Sequence, residues 1–303
     1  MNKFSIKNTA SQKGKVAIVT GANDGVGFET SFGLVSKGAS LIMACRNPQK
    51  AESAKAKIIK QFPGADVSII LLDLNSLESV KEFADNFKKN HSTLDILVNN
   101  AGIMVPPLNK TKEGFESQMG VNYFAHFLLT GLLMKELNAA ENGRVVSLSS
   151  IAHKRGKIDF NNLNAEQKYN KSQAYSQSKL ACLMFAYELD RNLRKSGSKV
   201  MSVAAHPGVS PTNLFKNLPF IARKLFGPVM GPLLNTPKQA ALPSLMAALD
   251  SSVQSGDFYG PSGFMEMSGN PAKASSKPQS HNKDVAKKLW DVSEELVGFK
   301  FNL

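Results

Sequence analysis

Among the side chains of this 303-residue chain, the phenol of Tyr175 and the ammonium of Lys179 are spaced for acid–base chemistry. They stand four positions apart in the run AYSQSKLACLMFAYEL, which reads as a helix, so both project from one face about one turn apart. A free phenol has a pKa of roughly 10, too high to trade protons near neutrality unless a neighbouring cation favours the phenolate. Such a pair can then act as general acid and base. The spacing alone is weak: with 5 tyrosines in the chain and lysine common, chance supplies about half a Tyr-x-x-x-Lys pair in a sequence of this kind. The surrounding motifs must decide.

The elements that would serve this pair begin near the other end of the chain. KVAIVTGANDGVGFETSFGLVSKG reads as an apolar strand at 16–19, a turn containing Gly21, Asn23, Asp24, Gly25, Val26 and Gly27, and then a helix. Glycines let backbone approach a pyrophosphate closely, and the free amides and dipole of a helix start attract its charge. The spacing is G-x-x-x-G-x-G rather than the G-x-G-x-x-G of the commonest dinucleotide fingerprint, and a tight connection is the plain structural alternative. About 20 residues beyond the turn, where an NAD-selective site places an acid, the second strand LIMAC runs into Arg46 and Asn47. A carboxylate there would repel a 2′-phosphate, whereas a guanidinium pairs with it, so Arg46 points to NADP(H) over NAD(H). A surface arginine at a strand end is the alternative.

Taken in order with other signals, these residues resemble the short-chain dehydrogenase/reductase family. The signals are TGANDGVG at the first turn, LDL at 72–74, LVNNAG at 97–102, GVNYFAHFLLT around Asn122, VVSLSS at 145–150, Tyr175 with Lys179, and AAHPGVSPT at 204–212. The resemblance runs from Lys15 to about Leu249. ACRN after the second strand and SIAHKRGKIDFNNLN before the tyrosine look most like the retinol dehydrogenase and protochlorophyllide reductase-like branch. The tail, with FYGPSGF and DVSEELVGF, looks like its soluble bacterial members.

The resemblance implies roles residue by residue. Ser150 steadies the substrate oxygen, Tyr175 exchanges the proton, Lys179 assists it and binds the nicotinamide ribose, and Asn122 holds a water that links the lysine to solvent. Asp73 and Leu74 contact the adenine, Asn100 and Gly102 lie where the cofactor passes, and Pro207, Gly208 and Thr212 face the nicotinamide carboxamide. Ser149 competes with Ser150, but neighbours on a strand face opposite ways and the family's motif aligns with Ser150. Ser150 and Tyr175 are 25 positions apart, longer than the family's shortest pattern. The polar insert AHKRGKIDFNNLNAEQKYNKSQA between them reads as a surface excursion that can border the pocket.

The positioning elements form one α/β unit. Apolar runs at 16–19, 40–44, 67–72, 95–98, 144–148 and 199–205 alternate with helical segments, and a last short strand is expected near Asp257–Tyr259. This predicts a single doubly wound Rossmann domain: a parallel sheet of about seven strands with helices on both faces. It would occupy residues 15–303 after a tail at 1–14, with a C-terminal helix at about 282–298. The stretch from about 210 to 237 mixes aromatics, lysines and prolines, which suits a mobile lid over an apolar substrate. A packed surface helix is the alternative, and its basic stretch FIARKLF could also touch a membrane surface. GPSGFMEMSGNPAKASSKPQS reads as a second loop over the same end.

Composition narrows the function class. The net charge of +13 comes from lysines spread along the chain without a nucleic-acid-binding module, so it reads as a basic surface that helps draw in anions. Two cysteines can build neither a disulfide framework nor a four-ligand zinc site, and no metal is expected. The first residues are polar rather than signal-like, and the longest apolar helix, around VNYFAHFLLTGLLM, falls short of a membrane span and carries Asn122 and His126. A cytoplasmic protein is expected, with a homo-oligomer through the Asn122 and Tyr175 helices as the family default. The leading expectation is an NADP(H)-dependent oxidoreductase acting on a carbonyl or alcohol of an apolar small molecule. The alternatives are a catalytically silent dinucleotide sensor or scaffold, a carbon–carbon double-bond reductase and, at odds with the glycine spacing, a nucleotide-sugar epimerase.

Overall fold

The computed structural model describes residues 4–209 and 235–303. The chain runs β1 (Val16–Thr20), α1 (Gly25–Ser36), β2 (Ser40–Cys45), α2 (Pro48–Gln61), β3 (Val67–Leu71), α3 (Leu77–Asn90) and β4 (Ile96–Asn99). After a long connection come α4 (Ser117–Met119), a π-helical turn (Gly120–Phe124), α5 (Ala125–Leu132), α6 (Met134–Ala139), β5 (Arg144–Leu148), α7 (Lys171–Ser196) and β6 (Met201–Ala205). The C-terminal part holds α8 (Pro237–Ala240), α9 (Leu242–Leu249), β7 (Phe258–Pro261), β8 (Pro271–Lys273) and α10 (Lys283–Val297).

The strands lie in the order β3-β2-β1-β4-β5-β6-β7-β8. β1 to β7 pair in parallel, and β8 closes the edge antiparallel to β7. The chain therefore winds from β1 out to β3, then returns across the sheet to β4. At that reversal the connections leave in opposite directions and open a crevice at the carboxyl ends of β1 and β4. β4 and β5 are buried along their whole length, as strands covered on both faces must be. The expected doubly wound domain is present, with an eighth strand inside what reads in sequence as a loop.

Local signals set the helices that carry the site. Asn170 caps α7, its side chain accepting from Ser172 N and Gln173 N, and Gly197 at φ 77° ends the helix in a left-handed turn. Asn47 caps α2 with Pro48 at its first position, and Ser76 caps α3. One face of the sheet packs on α3, α5 and α7 through Phe83, Phe87, Phe124, Phe127 and Leu180, among others. The other packs on α1, α2 and α9 through Leu34, Ile58 and Leu245.

α10 covers α5 and α7 with an aromatic cluster: the Trp290 ring centroid lies 5.1 Å from Phe127, 5.8 Å from Phe185 and 4.5 Å from Phe301. Gly131 of α5 lets this cluster sit close, since a Cβ there would lie 2.5 Å from the Phe299 ring and force it to shift. Phe4 and Ile6 pack on the core, and Gln12 N donates to Lys37 O at 2.7 Å.

Candidate active site

Tyr175 and Lys179 lie one turn apart on α7, the tyrosine partly buried and the lysine 5% exposed. Lys179 Nζ donates to Leu148 O, the last carbonyl of β5, at 3.1 Å. The backbone then continues extended through Ser149 and Ser150, and the two hydroxyls part. Ser149 is buried and donates to Lys179 O at 2.7 Å, so it ties β5 to α7. Ser150, at φ −156° and ψ 160°, caps the 3-10 turn Ile151–Arg155 by accepting from Ala152 N at 3.2 Å, and among the described residues its hydroxyl proton has no acceptor.

Asn122 sits in the π turn, whose extra residue per turn shifts it out of the α-helical register. Its side chain accepts from Ile103 N at 2.8 Å and donates to Ile103 O at 3.0 Å and Ser178 Oγ at 2.9 Å, bridging the β4 exit to α7. Gly102 closes this corner: a Cβ there would lie 3.0 Å from Asn122 Oδ1 and 3.3 Å from Lys179 Nζ. Gly102, Asn122 and Lys179, read separately from three motifs, therefore converge.

Two residues of this network were not singled out by motif reading. Thr20 Oγ1 accepts from Asn100 N and Ala101 N, both at 2.9 Å, which fills its two lone pairs. Its proton goes to the nearer of two acceptors, His126 Nε2 at 2.9 Å rather than Val98 O at 3.4 Å. His126 then carries its proton on Nδ1 and donates to Asn122 O at 3.0 Å, a carbonyl that also accepts from Cys182 Sγ at 3.2 Å. Burial pushes the His126 pKa down to about 4, so the ring stays neutral. In the sequence His126 registers only as a polar interruption of an apolar helix. The available signal was its place four residues after Asn122, with a threonine closing β1.

The glycine turn folds back on itself. Gly21 has φ 67° and a Cβ would meet Ala101 Cβ at 3.1 Å, while a Cβ on Gly27 would collide with Gly21 O at 2.3 Å. Gly25, at φ 55°, faces open space. Asp24 caps α1 by accepting from Gly25 N at 2.8 Å, while Val26 and Gly27 lie in the first turn, where amides have no carbonyl one turn back. Asn23 is partly buried in the same turn. Asn100 Nδ2 donates to Thr20 O at 2.7 Å, locking this turn to the β4 exit. An open glycine at a helix start, beside two backbones in close contact, fits a dinucleotide pyrophosphate.

Arg46 is exposed at the end of β2, and with Leu71, Leu72, Asp73 and Ser79 it lines an open groove of about 740 Å³. Asp73 Oδ1 accepts from Asn75 N at 3.0 Å, and the Leu74 side chain is buried in the core, which leaves its backbone for any contact in the groove. Pro207 and Gly208 follow β6, Gly208 at φ 72° packed where a Cβ would meet Met267 O at 2.4 Å. Thr212 and all but the end of the expected lid lie outside the described residues.

Residues 15–219 match the family model described as short chain dehydrogenase. The chain belongs to this family. Human retinol dehydrogenase 13 is 40% identical over 294 residues, covering 95% of this chain and 86% of that one. Mouse retinol dehydrogenase 14 is 39% identical over 299 residues, covering 94% and 86%. An uncharacterized protein of Mycobacterium paratuberculosis superposes with a TM-score of 0.83 at 35% identity, each chain covered in full. The fold is also shared by Pseudomonas aeruginosa RhlG in an NADP active-site complex, with a TM-score of 0.64 at 23% identity and 82% of this chain covered. Short-chain dehydrogenases bind NAD(P)(H), and this chain is an oxidoreductase of the retinol dehydrogenase-like kind.

In this short-chain dehydrogenase the insert between Ser150 and Tyr175 is anchored rather than loose. Ile158 and Leu163 are buried, and Tyr169 Oη donates to Pro106 O at 2.7 Å. With the start of α7 the insert walls a hollow of about 210 Å³, lined by Asp159, Asn162, Tyr169 and Gln173, which lies beside Tyr175 rather than around it. Cys45 and Cys182 are buried thiols, and burial pushes the Cys45 pKa up to about 11. Among the described residues no group of three His, Cys, Asp or Glu side chains could hold a metal ion, and no helix is long and apolar enough to cross a membrane.

Proposed function

We propose that the protein is an NADP(H)-dependent oxidoreductase that interconverts a carbonyl and an alcohol on an apolar small molecule, with Tyr175 exchanging the proton. The observation that carries this reading is the convergence of Gly102, Asn122 and Lys179 one helical turn from Tyr175, where β5 delivers Ser150. When bound, the nicotinamide supplies or takes up the hydride. Ser150 donates a hydrogen bond to the substrate oxygen, and Tyr175 gives that oxygen its proton in reduction and removes it in oxidation. Lys179, one turn along the same helix face, assists Tyr175 and holds the nicotinamide ribose. Asn122 fixes the β4 exit against α7, so the lysine meets the cofactor in one geometry; the remaining Oδ1 lone pair is where it would hold a water.

Gly21, Asn23, Asp24, Gly25, Val26 and Gly27 would hold the pyrophosphate, Arg46 the 2′-phosphate, Asp73 and Leu74 the adenine, and Pro207, Gly208 and Thr212 the carboxamide. The names of the retinol dehydrogenase relatives support an apolar alcohol or aldehyde as substrate class. We place the enzyme in a reducing compartment, the cytoplasm, where its two thiols remain unpaired. A homo-oligomer would use surfaces other than the side of α5 and α7 that meets α10.

The experiment is a panel of aldehydes, ketones and alcohols offered with NADPH, NADP+, NADH and NAD+. Turnover of apolar members with the phosphorylated cofactors is expected. Tight NADPH binding without turnover on any member would favour the sensor instead.

A further inference from the structure

The β7–β8 loop holds no residue of the proposed mechanism, yet two of its consecutive non-glycine residues sit in the left-handed region, Met265 at φ 52° and Glu266 at φ 59°. Such a conformation persists where surrounding contacts over-determine it. Here the contacts converge on the Glu266 carboxylate, whose side chain is 17% exposed. Oε1 accepts from both Ser275 N and Ser275 Oγ at 2.9 Å. Oε2 accepts from Lys154 Nζ at 2.8 Å and lies 3.3 Å from His206 Nε2. The histidine contact is not a formed hydrogen bond and acts as a charge–dipole contact.

Both partners lead to the site. Lys154 belongs to the turn capped by Ser150, and in that turn His153 Nδ1 must donate to Ser150 O at 2.7 Å, because a carbonyl can only accept. His206 immediately precedes Pro207 and Gly208; its Nδ1 accepts from Gly208 N at 3.2 Å, which leaves the proton on Nε2, facing Glu266. The two imidazoles pack on Phe258 with centroids 5.4 and 5.2 Å away. β7 makes room for the second with Gly260, where a Cβ would sit 2.0 Å from His206 Nε2. Met267 O also accepts from Val209 N at 2.8 Å, so backbone and side chain of the loop hold the same segment. Burial lowers both imidazole pKa values, His153 to about 4, which leaves Lys154 and Glu266 as the charges of the cluster.

We propose that Glu266 is a positioning residue: through Lys154 and His206 it clamps the Ser150 turn to the Pro207–Gly208 segment and so sets the serine hydroxyl relative to the nicotinamide end of the cleft. This rests on the proposed function, which gives those two segments their roles. A carboxylate that merely anchored its own loop would, when removed, loosen Val209 through Met267 but leave the Ser150 turn unaffected.

The test uses the full chain with Glu266→Gln, Glu266→Ala, Lys154→Ala and the double alanine variant. Amide exchange, NADPH titration and steady-state kinetics are measured on each. Loss of the clamp in Glu266→Ala speeds exchange on the order of tenfold at both 151–156 and 206–209, and the double variant is no worse than Glu266→Ala alone. Turnover falls about tenfold and NADPH affinity falls less, since the serine acts on the reacting oxygen while Pro207 and Gly208 make only part of the proposed cofactor contacts. Glu266→Gln, which keeps the shape and the Ser275 contacts, falls between wild type and Glu266→Ala. Faster exchange that spares 151–156, or additive losses in the double variant, overturns the proposal. A wild-type protein inactive on every carbonyl would sink the functional reading instead, and the exchange pattern would still decide whether the clamp exists.

Discussion

Ser149 and Ser150 carry the same hydroxyl one position apart, and the extended backbone turns them to different work. Ser149 spends its proton on Lys179 O inside the protein, whereas Ser150 caps a turn and its proton meets no acceptor among the described residues. That alternation is readable in sequence because a strand has period two. Tyr175 and Lys179 stand out in the sequence by a spacing that a helix fixes, and Gly102 by its motif at a strand end. Thr20 and His126 do not, because their pairing spans 106 positions and only the tertiary fold brings them together. Arg46 was legible by its place after β2, and its role is testable on its own. Arg46→Asp is expected to weaken NADPH binding by about 2 to 5 kcal/mol and NADH far less, since only the first loses a charged partner and gains a like charge. Titrations of both cofactors at low and high salt check this, because screening removes the diffuse pull of a +13 chain but spares a close pair. Equal weakening of both cofactors would return Arg46 to an ordinary surface role.

At the scale of elements, apolar runs located six strands of the core sheet to within about two residues, whereas the caps of α2 and α7 are seen only in the structure. Two features escaped. The π turn at Gly120–Phe124 leaves no trace in hydrophobic periodicity, because its residues are buried on nearly every side. β8 is three residues long and opens on Pro271, which an edge strand tolerates at its first position but which reads as loop in sequence. The π turn and the β4 exit act together at Gly102, and that is where the arrangement is most sensitive. Gly102→Ala would put a methyl group 3.0 Å from Asn122 Oδ1 and 3.3 Å from Lys179 Nζ. We expect turnover to fall by a factor on the order of 10 to 100 from a shift of well under 1 Å at the lysine. The thermal midpoint should change little, because Gly102 itself is exposed. Kinetics and melting curves on the same preparation check it; unchanged turnover would mean that the corner has room to spare.

The whole molecule joins a basic surface to an interior that holds neutral imidazoles. His126 and His153 have pKa values near 4, and that of His206 is also lowered, in each case chiefly by burial. Each binds its proton more readily in the unfolded chain, where the value is 6.5, so stability is full above that pH and is lost as pH falls from 6.5 toward 4. Glu266 adds to the loss below 4.5, because its salt bridge and hydrogen bonds outweigh burial and hold its pKa down; Glu29, raised by burial, opposes it as a single group. The thermal midpoint at pH 5 should therefore lie several degrees below that at pH 7.5, and a flat or rising midpoint would show that these imidazoles are not buried as described. The activity of the assembled site is tested most directly by Tyr175→Phe, which removes one oxygen from a partly buried ring and leaves the fold in place. NADPH affinity should stay within about twofold of wild type while turnover of an apolar aldehyde falls by a factor on the order of 100 to 10,000; turnover near that of wild type would contradict the assignment of the proton to Tyr175.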